Sequence, residues 1–258
     1  MAAARARVAR RVPHDDAATL PAALGEQLAR LYAEVQHSTH VFASPLGPIA
    51  GDGSDRSLPR FVYFGPRSTD VSVRLAFYAG FSPDELFTTL ALLNFVEQLA
   101  TDPQLGEQLS LSFFPMLAGS GGVGAEDWAS SLRPEVRALA ADVRQRAYHG
   151  FVRFESAGPG DLIEVRLRTA ASSRYPTPPV ELMTDVDLWP FSVRWEVDPR
   201  PVQDGPLTVG DEAAVEPFEL TLRFPKAWSV AQHQTATNTI LTRFIQRYRA
   251  FIAYGQNL

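Results

Sequence analysis

The stretch that decides the fold is VSVRLAFYAGFSPDELFTTLALLNFVEQLATDPQLGEQLSLSFFPML, residues 71–117. It opens with VSVRLAFYAGF, whose β-branched and aromatic residues are typical of a buried strand. In DELFTTLALLNFVEQLATDP the apolar residues recur at helical spacing, and LSLSFFPML is again a short apolar run of strand type. The order strand, helix, strand predicts a βαβ unit and therefore an α/β sheet.

Further strands and helices are predicted on both sides of this unit. Strands are predicted in RFVYFGP before it and in GFVRFES, LIEVRLRTA, FSVRWEV and PFELTLRFP after it. Helices are predicted over residues 17–36, in RPEVRALAADVRQRAYHG and in the closing segment VAQHQTATNTILTRFIQRYRAFIAYG. No internal repeat or low-complexity linker interrupts the order. We therefore expect one domain over residues 1–258, with a helical N-terminal extension at about residues 1–40 and a central sheet between helices.

The composition narrows the classes of function. The chain has no cysteine, which excludes disulfides, thiolate zinc sites and cysteine nucleophiles, so His, Asp and Glu would have to hold any metal. The formal net charge of -5 argues against a nucleic-acid partner, because binding to phosphates needs clustered Lys and Arg. The basic N-terminus lacks the apolar core of a signal peptide, and no apolar run reaches the roughly 18 residues of a membrane helix. We expect a cytoplasmic, bacterial protein with no membrane partner.

The order of these segments resembles the zinc carboxypeptidase superfamily, in particular its succinylglutamate desuccinylase and aspartoacylase-like branch. The resemblance extends over roughly residues 40–258 and is carried by RFVYFGP, LAFYAGFSPDELFTTLALLNFVEQL, LSLSFFPMLAG, PEVRALAADVRQRAYHGFVRFES, PFELTLRFP and the closing helix. It implies a three-layer α/β/α fold with a central mixed, mostly parallel sheet. It also implies a cleft in which members of the family hydrolyse peptide or amide bonds with zinc.

The first zinc-binding motif of that family is altered in this chain. In the family, a strand ends in Gly-x-His-Gly-x-Glu, whose His and Glu bind zinc. The matching stretch here runs from Gly80 to Glu85 and keeps the Glu, but Ser82 replaces the His. A hydroxyl is a poor zinc ligand compared with an imidazole nitrogen. The family's later His ligand would fall at Phe154 or Glu155 in GFVRFES.

The other catalytic positions of the family also differ. Its Asp-x-Asn-Arg motif, whose Arg binds a carboxylate, has Asp127-Trp128-Ala129-Ser130 as its nearest remnant. The general-base Glu of its last strand aligns with Arg223, and a guanidinium, which stays protonated in proteins, cannot act as a base. These differences imply a degenerate member with no catalytic residues, no metal and no other cofactor. The former active-site cleft would then be lined by Ser82, Glu85, Phe154, Glu155 and Arg223.

The segment from Ser82 to Glu85 also has a purely structural interpretation. Ser82 at the N-cap, Pro83 and Asp84 in the first turn and Glu85 at N3 would form a capping box at the start of the helix. This interpretation predicts that Ser82 caps the helix. A serine-hydrolase role is disfavoured because the chain has no Gly-x-Ser-x-Gly elbow.

Arg223 admits two hypotheses if the resemblance holds. Its charge would compensate Glu85 in an ion pair at the position that zinc occupies in the family, because a lone buried carboxylate is costly. Alternatively, Arg223 and Arg153 would bind an anionic ligand through bidentate contacts.

Three hypotheses for the function follow from these observations. In the first, the chain is a non-catalytic protein that binds a small anionic or peptide ligand in the former cleft. In the second, it is an active metallocarboxypeptidase or N-acyl-amino-acid amidohydrolase with an unconventional metal site built from Glu85, Glu155, His149 and nearby acids. In the third, it is an assembly protein whose last helix buries an aromatic surface at an interface. The oligomeric state is left open. The residues of that aromatic surface are Phe244, Tyr248 and Phe251.

The remaining candidate features are expected to have structural roles. His37 and His40 lack an acidic third partner nearby and are expected at the surface or in a supporting position. We expect His233 to be solvated or to cap the last helix, and Asp185 and Asp187 to be ordinary loop acids. The stretch AGSGGVGAEDW lacks the Lys-Ser/Thr ending of a P-loop and is expected to be a flexible loop.

Overall fold

A computed structural model of the chain describes residues 20–49, 56–70, 72–80, 82, 85–116, 134–157, 160–168, 190–198 and 217–256. Three features considered above lie outside the described residues. They are the Gly-rich stretch with Asp127 to Ser130, the pair Pro83 and Asp84 of the predicted capping box, and the pair Asp185 and Asp187.

The described residues form four α-helices, one short 3-10 helix and ten strands. In chain order they are α1 (Leu20–Val35), β1 (Val41–Ala43), β2 (Leu46–Ile49), β3 (Arg56–Leu58), β4 (Phe61–Phe64), β5 (Val73–Tyr78), α2 (Leu86–Thr101), the 3-10 helix (Pro103–Gly106), β6 (Leu109–Phe114), α3 (Pro134–Arg146), β7 (Gly150–Ala157), β8 (Ile163–Arg168), β9 (Val193–Asp198), β10 (Phe218–Pro225) and α4 (Val230–Gln256). Every predicted helix and strand is present. The strands β1, β2 and β3 are additional, and their three or four residues are too few to show a periodic pattern.

Eight of the strands form one mixed sheet in the order β1-β4-β6-β5-β7-β10-β8-β9. The four central strands β6, β5, β7 and β10 are parallel to one another. On one side β4 is antiparallel to β6, and on the other side the parallel pair β8 and β9 is antiparallel to β10. The expected mixed, mostly parallel sheet is therefore confirmed. The strands β2 and β3 pair separately as a small antiparallel sheet.

One face of the sheet is covered by α1, α2 and α4, which form the main core with it. The helix α2 is buried on nearly all sides, which explains why it is apolar around its circumference. Phe95 of α2 packs on Phe113, which stacks on Phe77 with ring centroids 4.9 Å apart. The helix α1 belongs to the same core, where Tyr32 meets Phe61 at 5.2 Å.

The aromatic residues of α4 belong to this core. Phe244 and Tyr248 are 4% and 5% exposed, and both rings pack against Phe218 of β10. The hypothesis of an aromatic interface on this helix is wrong for these two residues, because the spacing that makes a helix face apolar here serves the sheet. The side chain of Phe251 lies outside the described residues.

The other face of the sheet is divided into an apolar and a charged half. Under α3, the rings of Tyr78, Phe114 and Phe151 form a second, smaller core with Val136 and Leu139 of the helix. On β7, β10, β8 and β9 the same face carries alternating arginine and acidic side chains. No described helix is long and apolar enough to cross a membrane.

Candidate functional site

The candidate site lies where the carboxyl ends of the parallel strands β5, β7 and β10 meet. In open α/β sheets this edge is where ligands usually bind. The register of the sheet places Arg153 of β7 beside Tyr78 of β5, and Glu155 of β7 beside Arg223 of β10. Glu85, at the start of α2, reaches the same edge, because its Oε1 accepts a hydrogen bond from the backbone N–H of Ser156 at 3.4 Å.

A tight turn after β5 leads the chain into this edge. Gly80 has a φ of +67°, a conformation that residues with a Cβ rarely adopt. A Cβ there would lie 2.7 Å from Oγ1 of Thr89 and 2.9 Å from the carbonyl oxygen of Pro115. Glycine is therefore required where the segment after β5 passes the segment after β6.

The prediction that Ser82 is the N-cap of α2 is wrong, while Pro83 and Asp84 of the predicted box lie outside the described residues. The helix α2 begins at Leu86, its N-cap is Glu85, and no side chain caps it. Glu85 N–H donates to the carbonyl oxygen of Ser82 at 3.0 Å. The side chain of Glu85 contacts β7, because its Oε1 accepts the hydrogen bond from Ser156.

Glu155 joins two arginines at this edge. Its Oε1 lies 2.7 Å from Nε of Arg153, and its Oε2 lies 3.2 Å from Nε of Arg223. Nη1 of Arg223 is also 3.2 Å from Oε2 of Glu164 on β8. In the described part of the chain, the acidic partners of Arg223 are thus Glu155 and Glu164. The structure does not place Arg223 in the ion pair with Glu85 that the sequence suggested.

The two arginines differ in their access to solvent. The side chain of Arg153 is 5% exposed, whereas that of Arg223 is 36% exposed. Strand alternation places Phe154, between Arg153 and Glu155, on the opposite face. Its ring is fully buried in the main core and stacks on Phe224 at 6.2 Å. Of the two candidate positions on β7, Glu155 is therefore the one on the charged side.

A buried charged cluster lies further along the same face of the sheet. Glu219 is 2% exposed, and its Oε2 lies 3.6 Å from Nη1 of Arg168, whose Nε is 3.8 Å from Oδ2 of Asp198. Burial raises the pKa of Glu219, while Arg168 and Arg153 act in the opposite direction. Sequence reasoning missed this cluster, although the charged or polar residues at every second position of LIEVRLR, VRWEVD and FELTLRF are its signal.

The histidines within the described residues do not contribute a metal site at this edge. His149 stands at the amino end of β7, and its Nδ1 accepts a hydrogen bond from the backbone of Arg74 at 3.1 Å. Six residues of extended strand, about 20 Å, separate it from Glu155. The predicted unconventional site of Glu85, Glu155 and His149 is therefore not assembled, because its members lie at opposite ends of β7.

His233 is buried, so the expectation that it is solvated or a cap is wrong. It is 0% exposed, its Nδ1 is 3.0 Å from the carbonyl oxygen of Ser229, and burial lowers its pKa. Its ring lies among the rings of Phe87, Phe224 and Trp228. The apolar neighbours come from three different elements, so sequence spacing alone could not reveal them.

The two remaining described histidines lie near the β1 side of the sheet. His37 is exposed, and Nδ1 of His40 lies 2.8 Å from the carbonyl oxygen of Phe64 at the end of β4. Both are therefore remote from the carboxyl ends of β7 and β10, which stand across the central strands.

The described side chains do not fit a zinc ion. Among them there is no group of three histidine or acidic residues that could hold a metal. Glu155 is already paired with Arg153 and Arg223, whose positive charges would oppose a divalent cation. Catalytic zinc sites use three protein ligands, which this arrangement does not supply.

Comparison with solved structures identifies the architecture. A metallo-carboxypeptidase from Burkholderia cenocepacia superposes with a TM-score of 0.67 at 15% identity, covering 88% of this chain and 69% of that one. The chain has a metallocarboxypeptidase-like fold. A metallo-carboxypeptidase from Pseudomonas aeruginosa gives a TM-score of 0.61 at 18% identity, covering 85% of this chain and 68% of that one. For thrombin activatable fibrinolysis inhibitor the TM-score is 0.52 at 10% identity, with 86% and 74% covered.

These likenesses concern the fold alone. No protein-family model matches the sequence, and comparison with curated protein sequences gives no match. The expected zinc carboxypeptidase-like fold is confirmed, and the function has to be argued from the residues at the strand ends.

Proposed function

We propose that the chain, as a single domain, is a non-catalytic member of the metallocarboxypeptidase-like fold, from the succinylglutamate desuccinylase and aspartoacylase-like branch. It would bind a small anionic or peptide ligand at the carboxyl ends of β5, β7 and β10. The observation that carries the proposal is the bridging of Arg153 and Arg223 by Glu155. Ion pairs thus occupy the strand ends where the resemblance would place a zinc ligand and the general base.

The chemistry of hydrolysis supports the non-catalytic part of the proposal. Zinc-assisted cleavage needs a metal that polarises the carbonyl group and acidifies the attacking water. It also needs a base, and the guanidinium of Arg223 cannot accept the proton. The groups present can recognise a ligand by charge and hydrogen bonding without attacking it.

The charges at the site favour a ligand that carries charges of both signs. Arg223 is the more accessible arginine and can offer a carboxylate two parallel N–H donors. A purely anionic ligand would meet Glu155 and Glu164 beside it. A ligand with a carboxylate and a cationic group, such as a peptide, would satisfy Arg223 and these acids together.

A suitable probe is (2-guanidinoethylmercapto)succinic acid, with which the Pseudomonas aeruginosa metallo-carboxypeptidase was solved. It carries two carboxylates and a guanidino group. We expect the full chain to bind it in isothermal titration calorimetry. Arg223→Gln should weaken binding by about tenfold or more, since the charge-assisted hydrogen bonds of the guanidinium are lost. Arg194→Gln is the matched control, because Arg194 also pairs with Glu164 but on the outer strand β9.

Two results would contradict the proposal, each in a different part. Unchanged affinity in Arg223→Gln, or no binding by the unaltered chain, would refute the ligand site. The non-catalytic role would be refuted by two findings together. Protein purified without chelators would contain stoichiometric zinc and would release amino acids from N-acyl or peptide substrates, and Glu85→Ala would lose both the zinc and this activity.

A further inference from the structure

The strand β9 ends the eight-stranded sheet as far as the chain is described. Three of its six residues are exposed, with Val197 at 48% and the side chains of Arg194 and Glu196 at 65% and 60%, whereas Val193 and Trp195 are half-buried and Asp198 is buried. An outer strand presents a row of backbone N–H and C=O groups that can pair with another strand. Its core sequence is VRWEV, residues 193–197.

The direction of the backbone groups of β9 follows from its pairing with β8. Ile163 stands beside Val193 in the parallel register, and its N–H donates to the carbonyl oxygen of Ser192 at 2.9 Å. In a parallel ladder, alternate residues direct both backbone groups to the same side. Ser192 and the residues two and four positions after it therefore face β8. The backbone groups of Val193, Trp195 and Val197 face outward.

We propose that β9 is a homodimerisation strand, which pairs antiparallel with β9 of a second copy of this chain about a two-fold axis at Trp195. In this register Trp195 stands opposite Trp195 of the second copy, and Val193 stands opposite its Val197. All of these residues have outward backbone groups, so each opposed pair exchanges both of its N–H···O bonds. The two sheets then continue as one.

Charge complementarity is the observation that selects this partner and register. On the charged face, Arg194 stands opposite Glu196 of the second copy, and the two-fold axis repeats the pair. If the register of the two β9 strands shifts by two residues in one direction, Glu196 of one copy stands opposite Glu196 of the other. If it shifts by two residues in the other direction, Arg194 of one copy stands opposite Arg194 of the other. A shift of one residue exchanges the two faces of the strand. The sequence VRWEV is thus self-complementary only when it is centred on Trp195.

The proposed contact extends ion pairs that already exist within one chain. Arg194 pairs with Glu164 at 3.4 Å, and Arg166 pairs with Glu196 at 3.3 Å. A row of side chains then crosses the contact from strand to strand. It runs from Glu164 and Arg194 of one copy to Glu196 and Arg166 of the other, and the sign of the charge alternates along it. The opposite face brings exposed Val197 against Val193 and joins the two tryptophans, and such cross-strand apolar pairs stabilise a sheet.

A charge-exchange experiment tests the register. Light scattering after size exclusion should find the unaltered full chain dimeric. Arg194→Glu and Glu196→Arg each set like charges opposite at both sites, which should raise the dimer dissociation constant by about tenfold or more. The two variants carry opposite charges at both positions, so a one-to-one mixture should form a heterodimer. Damage to the fold of either variant could not produce this rescue.

A backbone variant tests the strand pairing separately. Val197→Pro removes one outward N–H, and proline is tolerated on an outer strand when that group faces away from the sheet. It should give a folded monomer with the circular dichroism spectrum of the unaltered chain, whereas Val197→Thr should remain dimeric. The proposal is overturned if the unaltered chain is monomeric, if both charge variants dimerise like it, if their mixture stays monomeric or if Val197→Pro still dimerises.

Discussion

Replacing Asp142 with alanine should lower the free energy of unfolding by about 3–5 kcal/mol, the cost of breaking a buried ion pair. The side chain of Asp142 is 4% exposed on α3. Its Oδ1 accepts hydrogen bonds from Nη1 of Arg60 and, at 2.9 Å, from Nε of Arg146. Its Oδ2 accepts one from the hydroxyl of Tyr148 at 2.8 Å. The carboxylate therefore connects α3, through hydrogen bonds, to the residues just before β4 and just before β7.

The magnitude follows from what the substitution leaves behind. The side chain of Arg60 is 8% exposed, and without Asp142 it keeps only its bonds to the hydroxyl and carbonyl oxygens of Ser44. Its charge would be buried without a counter-ion, whereas Arg146 is 32% exposed and can turn to water. We therefore expect Arg146→Gln, which breaks an ion pair to the same carboxylate, to cost about 0–1 kcal/mol.

Urea denaturation followed by circular dichroism measures both variants on one scale. The double variant Arg60→Met with Asp142→Leu removes both charges and should recover most of the loss, because an apolar pair can replace a buried ion pair. A loss of under about 1 kcal/mol in Asp142→Ala, or a double variant as unstable as the single one, would refute the account.

Two other perturbations probe the buried histidine and the glycine turn. Burial lowers the pKa of His233 in the folded protein below its ordinary 6.5. As the pH falls below 6.5, the histidine of the unfolded chain therefore takes up a proton before that of the folded chain. The free energy of unfolding that is present above pH 6.5 is then lost. Thermal unfolding between pH 8 and about pH 5 should show this loss, and a loss that is equally large in His233→Phe would contradict the assignment. Gly80→Ala should destabilise the fold by about 1–3 kcal/mol in urea denaturation. Gly25→Ala, in the open middle of α1 with nothing within 4 Å of the added Cβ, should be neutral or slightly stabilising.

The element order could be predicted because the strongest patterns belong to the elements that build the core. The strand β5 and the helix α2 carry apolar residues at strand and helix spacing, and burial of those residues holds both elements in the sheet. The start of α2 could not be predicted from its capping residues. The contact of Glu85 with Ser156 of β7 is remote in sequence, and it competes with local capping.

The candidate site could be predicted as a place but not as a set of contacts. The resemblance implied that Glu85, Glu155 and Arg223 line one cleft, and parallel strands do end at a common edge where ligands usually bind. Which charges pair depends on the register of β10 against β7 and β8. The apolar pattern of the sequence predicts these strands but not which of their residues stand side by side. Glu164 was missed for this reason. The strand β8 pairs antiparallel with β10, and this pairing places Glu164 beside Arg223.

The ion pairs at the site also specify the alignment of the strands. A shift of β9 by two residues against β8 would set Arg194 beside Arg166, or Glu196 beside Glu164, and like charges in these positions repel. Because exposed ion pairs contribute little free energy each, their main effect is to disfavour such wrong registers.

Arg223 connects this alignment to the chemistry of the site. It pairs with Glu155 on one neighbouring strand and with Glu164 on the other, so it compensates acids from both strands beside β10. A carboxylate at position 223 would add a third acid beside Glu155 and Glu164, which would keep only Arg153 and Arg194 as their partners among the described residues. The mutual repulsion of the three acids would act against the pairing of β7, β10 and β8. Arg223 cannot act as a catalytic base. Its positive charge instead favours the pairing of β10 with β7 and β8, because it compensates an acidic side chain on each of them.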